Sequence, residues 1–231
     1  MPVVANVDYN SGTRRNTKRV ADLRLNFPHA KPAPYNRGMD SLCVFCGSSP
    51  GRRPAYAAAA RTVGELLARR NITLVYGGGN VGLMGAVADA CIAAGGKVVG
   101  IIPRALAAKE IAHLDLTEMH VVGSMHERKA MMADRSDGFL ALPGGFGTWD
   151  EFCEIVTWAQ LGLQRKPCAV LNVEGYYDAF LALADRATEE GFVRPEHRAL
   201  VLCDTEAERL LDRMVAYQPP LFDKWIDRAQ R

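Results

Sequence analysis

The chain has 231 residues, 48% of them hydrophobic, enough for one sizeable core and more than a minimal domain needs. Its formal net charge is +2, but Met1 to Asp40 holds seven Lys or Arg against three Asp, leaving 21 basic and 23 acidic side chains in the remainder. That balance supplies no basic face for nucleic acid, and neither a bilayer-spanning apolar run nor a basic-then-apolar leader is present, so the expectation is a soluble cytoplasmic protein without a membrane or nucleic-acid partner.

Residues 1–40 sustain no apolar periodicity and are expected to form a flexible polar arm. Short β-type runs then alternate with helical patterns. "SLCVFC" (41–46) leads to a helix over 54–70, and "ITLVY" (72–76) to one over 82–95. "KVVGII" (97–102) follows, then "MHVVG" (119–123) with a helix over 125–135 and "GFLAL" (138–142) with a helix over 148–161. "CAVLNV" (168–173) precedes a helix over 176–190, "LVLCD" (200–204) precedes one over 205–217, and 218–231 reads as a tail or terminal helix. Repeated strand–helix–strand units pair in parallel through right-handed crossovers, which predicts an α/β fold: a single domain over 41–217 with a doubly wound, Rossmann-like parallel sheet flanked by helices. Six cysteines lie mostly alone in apolar segments, as buried reduced thiols do. Cys43 and Cys46 have a metal- or redox-like spacing but sit in a strand with no second ligand pair, and His113, His120, His126 and His197 have no metal spacing.

In such a sheet ligands bind beyond the carboxyl ends of the strands, where strand order reverses. Three loops that follow strands are unusual: "CGSSPG" (46–51), "YGGGNVGLMG" (76–85) and "PGGFGT" (143–148). Gly77, Gly79 and Gly82 fit G-x-G-x-x-G, but the motif follows the second strand, and "IIPR" ends the next strand where an acid would hold the ribose of a dinucleotide. Two readings of the glycines stand: close packing of helix on sheet, or backbone approach to a phosphate, with Gly78 and Gly79 in the cradle. In "PGGFGT", Gly144, Gly145 and Gly147 free the backbone while Thr148 and the following amides open a helix, which suits an anion. Thr148 and Glu151 also have T-x-x-E spacing, the signature of a capping box that would turn Glu151 back onto its own helix. Glu151, Glu154 and Trp158 form a stripe apart from the apolar one, which suits a pocket, a subunit contact or plain solvent. Arg128 and Lys129 fall early in the 125–135 helix, at the end where cations are disfavoured, and this placement points to an anionic partner or to a solvated charge run.

A phosphate cradle, an arginine and a carboxylate together suit a substrate that is anionic at one end and becomes cationic elsewhere as it reacts. A nucleoside monophosphate losing its base does this, because glycosidic cleavage leaves positive charge on the ribose. Ser48 or Ser49 would join the 77–82 and 144–148 amides on the 5'-phosphate, with Arg128 orienting the sugar and Glu151 stabilising the cation.

At these residues the sequence resembles the "Lonely Guy" cytokinin riboside 5'-monophosphate phosphoribohydrolases, once widely labelled possible lysine decarboxylases. Their hallmark PGGxGTxxE stands here in full from Pro143 to Glu151, and "CVFCGSSPG", "LVYGGGNVGLMG", "MHERK" and "TWAQLG" are similar too, over about Ser41 to Tyr217. The resemblance implies a nucleotide N-glycosidase releasing free base and ribose 5-phosphate, with Arg128 and Glu151 catalytic. It implies substrate contacts at Glu110, Lys129, Gly145, Phe146, Gly147, Thr148 and Thr157, with AMP and isopentenyladenosine monophosphate as candidate substrates. It further implies a homodimer or larger assembly with sites near the interface, and neither metal nor organic cofactor. Trp149 stands where a smaller aliphatic is common and Asp150 where Glu is frequent. Two alternatives compete: a cradle that binds a nucleotide or pterin-like cofactor without hydrolysis, and a decarboxylase, for which Lys129 is the candidate to carry pyridoxal phosphate.

Overall fold

Strands covered by helices on both faces need apolar side chains at every position, and the continuous runs in this chain meet that demand. The computed structural model describes residues 38–107, 112–113 and 115–220. Most of the expected arm, Glu110 and the end of the tail from residue 221 lie outside those residues.

The described elements are β1 (Ser41–Phe45), α1 (Pro54–Arg69), β2 (Thr73–Tyr76), α2 (Gly82–Ala93), β3 (Val98–Pro103), α3 (Arg104–Ala107), β4 (Glu118–Val122), α4 (Met125–Asp134), β5 (Phe139–Ala141), α5 (Phe146–Gln160), β6 (Cys168–Leu171), α6 (Asp178–Glu189), α7 (Pro195–Arg198), β7 (Val201–Asp204) and α8 (Ala207–Val215). The seven strands form one sheet in the order β4-β3-β2-β1-β5-β6-β7, every pairing parallel. This is the expected doubly wound α/β fold. The single-turn helices α3 and α7 add to the expected elements and are too short to leave a periodic pattern in the sequence.

Because side chains alternate across a strand, each strand feeds two cores. Leu42, Val44, Leu74, Leu140 and Leu171 pack with residues of α1, α2 and α8 on one face. Cys43, Phe45, Val75, Phe139 and Val170 pack with α4 and α5 on the other. Cys43 and Cys46, three positions apart, thus belong to different cores, which is why their spacing makes no paired site. Parallel strands leave all their carboxyl ends on one edge. The order reverses beside β1, whose neighbours are β2 on one side and β5 on the other. The loops after β1 and β5 therefore flank a crevice at the switch point.

Candidate active site

Three turns meet at that crevice and lock together through their backbones. The Gly47 amide donates to the Pro143 carbonyl (3.1 Å), and the Leu83 amide to the Gly47 carbonyl (2.9 Å). Gly82, at φ 59°, comes so close to the first turn that a Cβ would lie 2.4 Å from the Ser48 carbonyl carbon; one on Gly144 would lie 2.1 Å from Thr148 Oγ1. At Gly82 and Gly144, then, the missing side chain serves packing. At Gly145 and Gly147 a Cβ would meet nothing within 4 Å, so the space above the α5 N-terminus is open. Ser48 and Ser49 are exposed on the neighbouring turn. Gly78 and Gly79 hold the next segment: Gly79 bridges Ala112, the Gly78 carbonyl accepts from the His113 amide (3.3 Å), and His113 Nε2 lies 2.8 Å from Asp89 Oδ1.

Gly145 is the N-cap of α5 in extended conformation, and no side chain caps the helix. The helix starts too early for a capping box at 148–151: Thr148 is its third residue and Glu151 its sixth. A side-chain cap sits instead on α4, where the Ser124 hydroxyl accepts from the Glu127 amide (3.1 Å) and the Glu127 carboxylate accepts from the Gly123 amide (2.7 Å). The S-x-x-E spacing of Ser124 and Glu127 is its sequence signature. The first amides of α5, uncapped, point at the open space with the positive end of the helix dipole behind them. Such an arrangement suits an anion.

Glu151, released from capping, faces α4. Its Oε1 lies 3.7 Å from Arg128 Nη2, and the two residues are only 8% and 7% exposed. The contact is long for an ion pair, and the other Arg128 contacts are loose too: Nη2 to the Gly77 carbonyl at 3.5 Å and Nη1 to Met125 Sδ at 3.8 Å. Arg128 Nε is buried with no hydrogen-bond partner among the described residues. A buried donor left unmatched costs about 1–3 kcal/mol, a cost that an anionic or hydroxyl-bearing ligand would remove. Gly77 makes the geometry possible, since a Cβ there would sit 2.0 Å from Arg128 Nη2. Beneath the pair, burial first and the Glu151 charge second push the Cys46 thiol far above its usual range, so it carries no thiolate.

Lys129 bridges the two helices, with Nζ 3.2 Å from Asp150 Oδ2 and 3.0 Å from Glu154 Oε2. Burial opposes its charge, but the hydrogen bonds and attraction of Glu154 and Asp150 prevail and hold its pKa above the ordinary value. Of the stripe, Glu151 and Glu154 meet α4 and Trp158 packs on the core. Thr157 is exposed, and its hydroxyl donates to Cys153 O in its own helix (2.7 Å). Phe146, 85% exposed, stacks edge-on with Trp149 at the mouth of the site. A separate open groove of about 830 Å³ runs between α1 and α2, touching the site's loops only at Asn80 and Gly82.

Sequence reasoning missed two tyrosines that brace the site from the β6–α6 connection. The Tyr177 hydroxyl donates to the Leu142 carbonyl (2.7 Å) and the Tyr176 hydroxyl to the Gly144 carbonyl. Only the turn former Gly175 hinted at them.

Fold and site define a Rossmann-type α/β protein with an uncapped helix N-terminus at the sheet's switch point, beside a buried arginine–carboxylate pair. A family described as "Possible lysine decarboxylase" matches residues 84–214. The chain is 50% identical over 182 residues to "Probable cytokinin riboside 5'-monophosphate phosphoribohydrolase LOGL5" of Oryza sativa subsp. japonica (79% of this chain, 74% of that one), and 47% identical over 178 residues to "Cytokinin riboside 5'-monophosphate phosphoribohydrolase LOG7" of Arabidopsis thaliana (77% and 82%). The chain belongs to the Lonely Guy family of cytokinin riboside 5'-monophosphate phosphoribohydrolases. Among solved structures, the molybdenum cofactor binding protein of Rippkaea orientalis aligns with a TM-score of 0.58 at 21% identity, over 76% of this chain and 95% of that one. The molybdenum cofactor carrier protein of Chlamydomonas reinhardtii aligns with the same score at 17% identity, over 77% and 98%. Those two likenesses are of fold.

Proposed function

We propose that this chain hydrolyses the N-glycosidic bond of cytokinin riboside 5'-monophosphates and AMP, releasing free base and ribose 5-phosphate. The observation that carries the reading is the buried Arg128–Glu151 pair, with Arg128 Nε unmatched among the described residues, beside the open N-terminus of α5. The amides of Gly145 to Thr148, with Ser48 on the facing turn and the Gly78–Gly79 backbone behind, take the 5'-phosphate. Arg128 reaches the sugar and phosphate with its unmatched donor. As the bond from ribose C1' to the base nitrogen breaks, its electron pair leaves with the base and positive charge develops on the ribose, which the Glu151 carboxylate stabilises. Water then adds to C1', and the base takes up a proton.

Lys129 and Thr157 complete the proposed contacts, Lys129 by holding α4 to α5 through Asp150 and Glu154. The family's decarboxylase label would require a lysine that readily loses its proton to carry pyridoxal phosphate. Lys129 is in the opposite state, its charge held by two carboxylates. A homodimer in the cytoplasm is part of the proposal. Exposed Leu161 and Leu163 beyond the end of α5 support the dimer, and no helix among the described residues is long and apolar enough to cross a membrane.

Incubation with AMP, isopentenyladenosine monophosphate, GMP and CMP, followed by chromatography, tests the activity. Free base from the adenine nucleotides is the expected result. Saturable binding with no base released would make the protein a nucleotide-binding module instead. Glu151→Gln is expected to bind AMP nearly normally and to lose on the order of a hundredfold or more in kcat.

A further inference from the structure

The Tyr176 hydroxyl donates to the carbonyl of Gly144, the residue directly before the α5 N-cap. A trans peptide points its carbonyl and its N–H in opposite directions. Holding the Gly144 carbonyl therefore aims the Gly145 N–H away from the tyrosine. That peptide joins two glycines, neither of which resists rotation, so its orientation is set by whatever grips it.

The grip is itself built with care. Asn172, 9% exposed, accepts from the Tyr177 amide and donates to Asp178 Oδ1, both at 2.7 Å. Between them the chain turns through two left-handed residues, Glu174 at φ 53° and Gly175 at φ 73°. A non-glycine residue in that region is strained, and such strain persists only where the surroundings enforce it. The turn delivers Tyr176 between two rings, Tyr177 at 5.0 Å and Tyr56 at 5.8 Å, both edge-on. Tyr56 in turn lies against Gly51 of the β1–α1 loop.

We propose that Tyr176 is a positioning residue: its hydroxyl locks the Gly144–Gly145 peptide in the orientation that presents the Gly145 amide to the substrate's phosphate. The inference rests on the phosphate seat assigned under Proposed function. Tyr177 makes a comparable bond to Leu142, farther back in the same loop, and is the internal comparison.

The test is Tyr176→Phe, which keeps both ring contacts and removes only the hydroxyl. The expected result is a KM for AMP raised about five- to tenfold with kcat within about twofold, and a matching loss of affinity for ribose 5-phosphate. In the native chain the Gly145 amide resonance is expected to move on titration with ribose 5-phosphate; in Tyr176→Phe it moves little at the same concentrations. Tyr177→Phe is expected to lower the melting temperature while keeping native ribose 5-phosphate affinity. Tyr176→Phe with native affinity and a native Gly145 response overturns the inference, as does an equal loss of affinity in both variants. Should the native chain neither bind ribose 5-phosphate nor release base from AMP, the phosphate seat itself falls and this inference with it.

Discussion

Gly77 and Arg128 are 51 positions apart, and their relation is written in no local pattern. The glycine triplet was legible as a place where backbone comes close to something, and "MHERK" as a segment with misplaced cations. That one glycine exists to make room for the arginine emerges only once β2 and α4 are in place. The overlap a methyl group would create there falls on the far end of a flexible side chain, 2.0 Å from Nη2, rather than on backbone. Gly77→Ala is therefore expected to fold with a melting temperature close to native while the displaced guanidinium lowers kcat/KM for AMP by tenfold or more; thermal unfolding beside steady-state kinetics checks the split. A comparable fall in melting temperature would make Gly77 a packing residue only.

For the helices, local patterns located the elements well and their first residues less well. The start of α5 two residues ahead of expectation decides the role of Glu151: at the third helical position after a Thr cap it would close a capping box, whereas here, at the sixth position, it projects toward Arg128. Gly145 and Gly147 hid the boundary because glycine signals a loop whether or not a helix has begun. The contact between α1 and α2 was equally hidden. A Cβ on Gly64 of α1 would stand 2.3 Å from the Val87 carbonyl oxygen and 2.9 Å from the Cys91 nitrogen, both backbone atoms of α2. Backbone cannot step aside as Arg128 can. Gly64→Ala is expected to destabilise the fold by about 1–3 kcal/mol, the usual cost of overpacking, and denaturant unfolding measures it.

Across the molecule, the parallel sheet followed from the alternation of strands and helices, and two of the three loops nominated for binding flank the reversal, the third following the adjacent β2. The ion pairs between β7 and α8 were not legible. At the far end of the sheet Asp204, its side chain 8% exposed, accepts from Arg209 and, at 3.3 Å, from Arg213. Hydrogen bonds from Arg209 outweigh burial and, with those from the Glu206 and Thr205 amides, hold its carboxyl well below the usual range. A carboxylate whose pKa is lowered by folding adds stability above its unfolded value, about 3.9, and loses it as pH falls further toward the folded value. Asp204→Asn should thus melt below the native chain at pH 7, with the gap narrowing below about pH 4. A gap that stays constant down to pH 2 would remove the charge from the explanation.

The two amide-to-carbonyl bonds that run from Leu83 through Gly47 to Pro143 tie the ends of three strands into one floor. A ligand arriving on that floor finds its donors already immobilised, so little of its binding energy is diverted into ordering loops. The same coupling removes independence: a disturbance at any one turn is felt at the other two. On the function proposed above, selectivity among bases falls to side chains at the rim, Phe146 and Trp149 foremost, which can change without disturbing that backbone floor.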